Sequence, residues 1–176
     1  MAVLLAAFIS CEKTPVDDGE GNNSGSTNLP PEPSIERFHK NRSVESSILK
    51  TKIKYSIFLP ASYEENLEKS YPVVYFLHGL GESSSKDWTK YTDVIKSLEN
   101  AGLQEMIYVF PNGSNSYYSN RYDGTYDYMD MFIEELVPYI DATYRTVADK
   151  QHRAITGYSM GGFGAMTLAI RHTETF

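Results

Sequence analysis

The stretch Gly157-Tyr158-Ser159-Met160-Gly161 decides how the rest of this 176-residue chain is interpreted. It fits the pattern G-x-S-x-G, in which a serine is lifted out of a tight bend between a strand and a helix. Residues 153–156 have the length of a short buried strand, and residues 162–170 read as a small-residue and then apolar helix. The two outer glycines have a predicted steric role, because larger side chains at these positions would collide with the strained bend and the packed helix.

Composition places the chain among ordinary globular proteins. Hydrophobic residues make up 41% of it and aromatic residues 13%, enough for one domain with a sizeable core. A formal net charge of -7 offers no basic surface, so nucleic acid is excluded as a partner. The single cysteine, Cys11, excludes a disulfide framework and a cysteine zinc cluster. No metal or other cofactor is predicted.

The first residues have the layout of a bacterial lipoprotein signal. Residues 2–9 are apolar and lead into Ser10 and Cys11, the position of a lipid-modified cysteine. The positive n-region is missing and Phe8 stands where leucine is usual, so a weakly apolar disordered end is the alternative. Eight apolar residues are too few to span a membrane. We expect 1–11 to be a truncated signal, with Cys11 anchoring an exported protein.

The next segment has the composition of a tether. Residues 12–34 are rich in glycine and proline and contain almost no large apolar side chain. Such a segment cannot bury enough surface to offset the entropy lost on ordering it. We predict a disordered tether over 12–34 and one folded domain over 35–176.

Strand and helix patterns alternate along this domain. Residues 51–59 alternate apolar and polar positions, as a strand with one buried face does, whereas 72–77 and 106–110 are continuous apolar runs typical of central strands. The predicted strands are 37–49, which supplies a hairpin partner, 51–59, 72–77, 106–110 and 153–156; the predicted helices are 87–101, 129–140 and 162–170.

The clearest helical pattern covers residues 129–140. Its apolar residues recur at intervals of three and four: Met129, Phe132, Ile133, Leu136, Val137 and Ile140. Thr125 is predicted to cap this helix, and Asp127 and Asp130 suit the positive end of its dipole. Pro138 removes one backbone hydrogen bond and is predicted to kink the helix.

Strands that alternate with helices predict an α/β fold with a mostly parallel sheet and helices on both faces. Ligands of such sheets bind beside the carboxyl ends of the strands. His78, Pro111 and Ser159 each follow or end a predicted strand. The functional site is therefore expected at that edge of the sheet.

Four ordered motifs, at residues 71–79, 110–113, 135–141 and 157–162, resemble an esterase family of the α/β-hydrolases. This family includes esterase D-type S-formylglutathione hydrolases, feruloyl and acetylxylan esterases of carbohydrate esterase family one, and mycolyltransferases. The resemblance runs from about Ser43 to the last residue. It implies an α/β-hydrolase fold and ester hydrolysis. Together with the lipoprotein-like start, it favours the feruloyl and acetylxylan branch, which degrades carbohydrate.

Acyl-transfer chemistry then assigns roles to three residues. Ser159 is expected to attack an ester carbonyl and to form an acyl-enzyme that water hydrolyses. The oxyanion of the intermediate needs backbone N–H donors, and the first is predicted to be Met160, at the start of a helix. By resemblance, the second donor comes from the loop at residues 78–81, and we predict the N–H of Leu80.

No histidine is a convincing general base. The resemblance places His78 beside the oxyanion loop, His152 precedes the strand that enters the bend, His172 closes the following helix, and His39 is near the domain start. In α/β-hydrolases the acid and the histidine follow the serine along the chain, and only 17 residues follow Ser159. We therefore expect an N-terminal part of a longer protein, nearly inert alone, with the catalytic Asp, the catalytic His and the last strands missing.

The loop at residues 113–124 is a candidate for binding substrate. Tyr117 and Tyr118 suit stacking against a phenolic acyl group or a sugar, although tyrosines packed on the domain explain them equally well. Three function classes stay open. The first is an esterase acting on polysaccharide-linked esters, the second an acyltransferase or S-formylglutathione hydrolase-like thioesterase, and the third a non-catalytic carbohydrate-binding lipoprotein.

Overall fold

A computed structural model describes residues 36–82 and 88–176 of the chain. The predicted signal, its lipid anchor Cys11 and the predicted tether lie outside these residues. Within the two described ranges, no helix combines the length and the apolar character needed to cross a membrane.

All predicted strands and helices are present among the described residues, with ends that differ by a few positions. The strands are β1 (Phe38–Ser46), β2 (Thr51–Phe58), β3 (Val73–Leu77), β4 (Ile107–Pro111) and β5 (Arg153–Gly157). The helices are α1 (Thr89–Asn100), α2 (Tyr128–Met131), α3 (Val137–Thr143) and α4 (Met160–Arg171). A π-helical turn, Phe132–Leu136, joins α2 to α3, and a 3₁₀ turn, Lys150–His152, precedes β5.

The five strands form one mixed sheet in the order β1-β2-β4-β3-β5. Strand β3 pairs in parallel with β4 and with β5, whereas β2 pairs antiparallel with both β1 and β4. The prediction of a mostly parallel sheet is therefore corrected, because two of these four pairings are antiparallel. The connections between the strands explain this mixture. A tight turn joins β1 to β2, so these two strands form an antiparallel hairpin, whereas helices connect β3, β4 and β5 and allow parallel pairing.

Apolar clusters cover both faces of the sheet. Tyr75 and Phe76 are neighbours on β3, so their side chains point to opposite faces. Tyr75 belongs to the larger cluster, which includes Phe132 and Leu168, whereas Phe76 packs against Trp88 in a second cluster. The π-helical turn and α4 therefore contribute to one face and α1 to the other, as expected for helices on both sides.

The cap of the helix that starts with α2 differs from the prediction. Thr125 was expected there, but its hydroxyl donates to Asp123 Oδ1 at 2.7 Å. The amides of Met129 and Asp130 instead donate to Asn120 Oδ1, at 2.8 and 3.2 Å. A side chain from the preceding loop therefore satisfies two of the free N–H groups that every helix start leaves.

Pro138 was predicted to kink the helix; in the structure, the helix changes from the π-helical to the α-helical type beside this proline. Pro138 lies in the first turn of α3, directly after the π-helical turn Phe132–Leu136. A proline has no N–H for the usual bond one turn back, and a short π-helical segment relieves the resulting mismatch.

Candidate active site

Ser159 occupies the bend between β5 and α4. Its backbone angles, φ 53° and ψ -123°, are left-handed, a region that residues other than glycine rarely adopt. Such a conformation costs about 1–3 kcal/mol and persists only where surrounding structure imposes it. The bend leaves the Ser159 side chain exposed at the carboxyl end of the sheet.

The glycines on either side make this bend possible. A Cβ on Gly157 would lie 2.6 Å from the Gly161 carbonyl, and one on Gly161 would lie 2.1 Å from the Leu77 carbonyl oxygen. Both distances are far below van der Waals contact, so any larger residue would separate α4 from β3 and β5. The steric role predicted for these glycines is confirmed.

The loop after β3 lies directly beside the bend. Leu77 pairs with Gly157 in the parallel ladder, and the Tyr158 amide donates to the Leu77 carbonyl at 3.4 Å. His78 and Gly79 follow at once, so this loop runs next to Ser159. The predicted clustering at the carboxyl ends of the strands is confirmed.

His78 holds two loops together and has no free nitrogen. Its side chain is fully buried, and Nε2 accepts the Gly113 amide at 2.9 Å. Because Nε2 accepts, the ring proton is on Nδ1, which donates to the Gly79 carbonyl at 2.7 Å. The ring therefore orients the loops after β3 and β4, and it cannot take a proton from Ser159.

The prediction that Tyr118 contacts the substrate is corrected, because this tyrosine packs inside the domain. It is fully buried, and its hydroxyl accepts the His78 amide at 2.9 Å and donates to the His78 carbonyl at 3.2 Å. Glycines at 113 and 164 leave room for the ring, because a Cβ there would lie 2.4 and 2.6 Å from its atoms. Burial raises the pKa of this phenol further above its ordinary value, so the hydroxyl keeps the proton that it donates to the His78 carbonyl.

Tyr117 lies on the surface of a pocket that contains Ser159. Its ring is about half exposed and meets Phe163 edge-on, with 5.9 Å between ring centroids. The pocket has a volume of about 590 Å³ and is lined by Leu80, Tyr117, Ser119, Ser159, Met160 and Phe163. The structure thus brings the predicted nucleophile, the two predicted oxyanion residues and Tyr117 together.

Phe163 was not among the predicted site residues. It lies four positions after Ser159, one helical turn into α4, so both residues fall on the same side of the helix start. That spacing, together with an aromatic residue among glycines and alanines, is the sequence pattern that could have identified it.

The two predicted oxyanion donors have favourable surroundings. Met160 is the first residue of α4, where N–H groups have no acceptor within the helix and the dipole favours negative charge. Leu80 lies between two amides that donate elsewhere: Gly79 to Glu82 Oε2 and Gly81 to Asn115 Oδ1, each at 3.3 Å. These two bonds fix the backbone on both sides of the Leu80 amide.

A side-chain contact also connects the bend to the oxyanion loop. The Tyr158 hydroxyl donates to Glu82 Oε2, the same oxygen that accepts the Gly79 amide. The Tyr158 ring itself lies against Gly79, where an added Cβ would be 3.1 Å from Cε2. Sequence reasoning missed Glu82, which stands four residues after His78 in a loop without periodicity.

None of the other histidines is near Ser159. His152 precedes the five residues of β5 and pairs with Asp149, so about 16 Å of strand separates it from the bend. His172 follows the twelve residues of α4, about 18 Å away, and contacts Glu174. His39 is on β1, at the opposite edge of the sheet from β5.

Metal ligands do not cluster in the described part of the chain. Residues 36–82 and 88–176 contain no group of three or more His, Cys, Asp or Glu side chains arranged to hold a metal ion.

Comparison with known proteins finds esterases. The family model described as "Putative esterase" matches residues 46–176. A solved ferulic acid esterase is 39% identical with a TM-score of 0.70, over 77% of this chain and 56% of that one. An esterase of Mycobacterium tuberculosis is 32% identical over 125 residues, which is 69% of this chain and 26% of that protein. A xylanase/feruloyl esterase of Xylanibacter ruminicola is 28% identical over 131 residues, 69% of this chain and 18% of that protein.

The chain therefore spans about a quarter or less of the curated relatives and about half of the solved esterase. The solved relatives have the α/β-hydrolase fold of esterases, which agrees with the fold class expected from the sequence. Because the family match covers most of the described domain, the chain belongs to this esterase family.

Proposed function

We propose that the chain carries the nucleophile of a serine carboxylic-ester hydrolase. The observation that supports this most strongly is the bend at Ser159, which holds an exposed serine in a strained backbone conformation in the same pocket as Met160 and Leu80. Strain of this kind is retained where it serves chemistry. The family membership and the names of the relatives point in the same direction.

The proposed reaction uses the pocket as follows. Ser159 Oγ attacks the ester carbonyl carbon, and the carbonyl oxygen takes up the negative charge of a tetrahedral intermediate. The amides of Met160 and Leu80 donate to this oxygen, and losing one such donor costs about 3–4 kcal/mol of transition-state stabilisation. A base takes the Ser159 proton during the attack and returns it to the alcohol oxygen as the C–O bond to the alcohol breaks, which leaves an acyl group on Ser159; water then hydrolyses this acyl-enzyme to the free acid and regenerates the serine.

This reaction needs a base that the four histidines do not provide. His78 has both nitrogens engaged, and the other three lie far from Ser159. We place the catalytic Asp and His in protein outside these 176 residues. The surface beside Ser159 supports this proposal, because β5 is an edge strand of the described sheet and α4 exposes Met166 and Ile170 by 60% and 70%. Further strands packed there would cover the apolar side chains and could deliver the base.

The proposed acyl group is feruloyl or acetyl, carried by a polysaccharide. Tyr117 and Phe163 form an aromatic corner of the pocket that suits a phenolic ring. A solved relative is a ferulic acid esterase, and a curated relative combines xylanase and feruloyl esterase in its name. An exported protein anchored through Cys11 fits a polysaccharide substrate, which stays outside the cell.

Hydrolysis of methyl ferulate and of acetylated xylan by the complete protein tests the proposal. We expect Ser159→Ala to lower kcat by roughly a thousandfold or more, since it removes the nucleophile. The matched control is Ser97→Ala on the exposed surface of α1, which should retain full activity. Transfer of the acyl group to an added alcohol in preference to water would instead identify an acyltransferase. A fully active Ser159→Ala protein would refute the assignment.

A further inference from the structure

The carboxylate of Glu82 accepts two hydrogen bonds at one oxygen. Glu82 Oε2 receives the Gly79 amide at 3.3 Å and also the Tyr158 hydroxyl. Gly79 directly precedes Leu80, the predicted oxyanion donor, and Tyr158 directly precedes Ser159, the predicted nucleophile. A single oxygen atom therefore joins the two segments whose relative position the proposed reaction requires.

Tyr158 contacts the loop after β3 at three places. Its amide donates to the Leu77 carbonyl at 3.4 Å, where the loop begins. Its ring lies against Gly79, since an added Cβ there would be 3.1 Å from Tyr158 Cε2. Its hydroxyl reaches Glu82, further along the same loop. The residue before the nucleophile thus holds this loop on both sides of Leu80.

The orientation of the Leu80 amide depends on Gly79. The Gly79 carbonyl and the Leu80 N–H belong to one planar trans peptide, in which the two groups point in opposite directions. The carbonyl accepts hydrogen bonds from His78 Nδ1 at 2.7 Å and from the Glu82 amide at 3.3 Å. Glu82 therefore binds Gly79 twice, through its side chain and through its backbone. Any rotation that turns the Leu80 N–H to another direction would break hydrogen bonds at Gly79.

The side-chain hydrogen bonds of Glu82 are open to solvent, unlike those of His78. Glu82 is exposed, and Tyr158 is 36% exposed. Water replaces such bonds readily, so they add little to the free energy of unfolding. Their effect on a reaction is different, because an oxyanion donor stabilises the transition state only when it is already aimed at the developing charge. The loss of these bonds should therefore change the reaction rate more than the stability.

We propose that Glu82 is a positioning residue for the oxyanion donor Leu80. It acts by holding Gly79 and Tyr158 together, so that the amide faces the ester carbonyl attacked by Ser159. This inference rests on the proposed ester hydrolysis, because only a reaction at Ser159 gives the amide a charge to stabilise. Glu82 itself touches no reacting atom, and its loss should lower kcat while KM stays nearly the same.

Three variants of the complete protein test this role, with p-nitrophenyl acetate as the ester. We expect Glu82→Ala to lower kcat roughly tenfold, less than the loss of a whole donor would, with KM within about twofold of wild type. Tyr158→Phe should lower kcat roughly threefold, because Glu82 still holds Gly79. Glu82→Gln should retain most of the activity, since both bonds end on one oxygen and an amide also offers one.

A transition-state analogue provides a second measurement. Trifluoroacetone adds to an activated serine, and the tetrahedral adduct carries the oxyanion. Its inhibition constant should rise in Glu82→Ala by the factor by which kcat falls. The double variant Glu82→Ala/Tyr158→Phe should be no slower than Glu82→Ala alone, because the Tyr158 hydroxyl acts through the carboxylate. The matched control is Glu45→Ala on β1, an exposed carboxylate that pairs with the exposed Lys52, and it should leave kcat unchanged.

The melting temperature and the glutamine variant separate positioning from other roles. A Glu82→Ala protein with kcat within about twofold of wild type would overturn the positioning role while ester hydrolysis stands. A melting temperature lowered by more than about 5 °C would also overturn it, because Glu82 would then support the whole fold. Equal loss of kcat in Glu82→Gln and Glu82→Ala would show that the charge acts rather than the hydrogen bonds. If the wild-type protein hydrolyses no ester, the proposed function fails first, and the role of Glu82 falls with it.

Discussion

The two ends of the parallel strands are built differently. At the amino ends, charged side chains are paired: Arg153 with Asp141 at 2.5 Å and Lys69 with Glu105 at 2.6 Å. At the carboxyl ends, the backbone is strained instead. Of six non-glycine residues with positive φ in the described ranges, four lie there: Ser114, Tyr117, Tyr118 and Ser159.

The two ends therefore differ in how they contribute to the stability of the fold. Paired charges and satisfied hydrogen bonds at one end lower the free energy of the folded state. Strained residues at the other end raise it and persist because the surrounding structure imposes their conformation. The sheet between the two ends supports the loops in which the strained residues lie. Substitutions at the two ends should therefore have different effects on stability and activity.

The largest effect is expected from closing the space beneath Ser159. In Gly161→Ala, the new Cβ would lie 2.1 Å from the Leu77 carbonyl oxygen, so α4 must move away from β3. We expect a loss of about 3 kcal/mol in the free energy of unfolding and loss of activity. Urea unfolding and ester hydrolysis by the complete protein measure both.

The neighbouring glycine provides the control. A Cβ on Gly162 would lie 3.4 Å from the Gly157 carbonyl oxygen, an ordinary contact, and alanine favours helix more than glycine does. Gly162→Ala should stay within about 1 kcal/mol of the wild-type stability. Equal behaviour of the two variants would contradict the account of the bend.

A second prediction concerns His78, which links the loops of the strained end. Replacing it by alanine leaves the Gly113 amide without its His78 acceptor, removes one of the two donors to the Gly79 carbonyl, and opens a cavity in a buried position. We expect a loss of about 3 kcal/mol in unfolding free energy. Activity should fall as well, because the loop that carries Leu80 loses its support.

His152→Ala serves as the comparison from the amino end. His152 is exposed and pairs only with Asp149, so its loss should cost no more than about 1 kcal/mol and leave activity unchanged. Thermal melting and kcat for both variants check the difference. A His78→Ala protein with wild-type kcat would show that the loop does not depend on this ring.

The smallest effect is expected at Glu105, on the amino end. Burial raises the pKa of this carboxyl, but hydrogen bonds from Lys69 and Ser62 outweigh it and lower the pKa from 4.5 to about 2. The folded protein therefore binds this proton less readily than the unfolded chain does. The stabilisation is fully present above about pH 4.5 and is lost as the pH falls towards 2.

Glu105→Gln should remove that pH-dependent part. We expect a loss of about 1–2 kcal/mol at pH 6 and a smaller difference from wild type at pH 3, since solvent screens part of the ion pair. Ester hydrolysis should be unaffected, because Glu105 lies at the end of the sheet away from Ser159. A difference between the proteins that grows as the pH falls would contradict the assigned sign.

Local patterns explain why the elements and the bend were predictable. The bend at Ser159 is determined by its neighbouring glycines, and β3 and β4 by short apolar runs. Each of these patterns covers only a few consecutive residues, so a single sequence is enough to recognise it. The prediction of Ser159, Met160, Leu80 and Tyr117 at one place followed from these constraints and from the family resemblance. The structure brings all four to the same pocket.

Contacts between distant segments explain what could not be predicted. Whether Tyr117 or Tyr118 is buried depends on space left by Gly113 and Gly164, which are far apart in sequence. The cap from Asn120 and the antiparallel pairing of β2 with β4 also depend on which segments meet in space. The spacing of apolar residues along the sequence does not indicate contacts between distant segments, so these contacts could not be predicted.

Labelling of the complete protein with a fluorophosphonate probe tests the central claim most directly. Such a probe forms a covalent bond with an activated serine, and peptide mass spectrometry locates it. We predict one labelled residue, Ser159, and no labelling of the Ser159→Ala variant. A probe attached to a different serine, or an enzyme that hydrolyses esters while Ser159 stays unlabelled, would contradict the account.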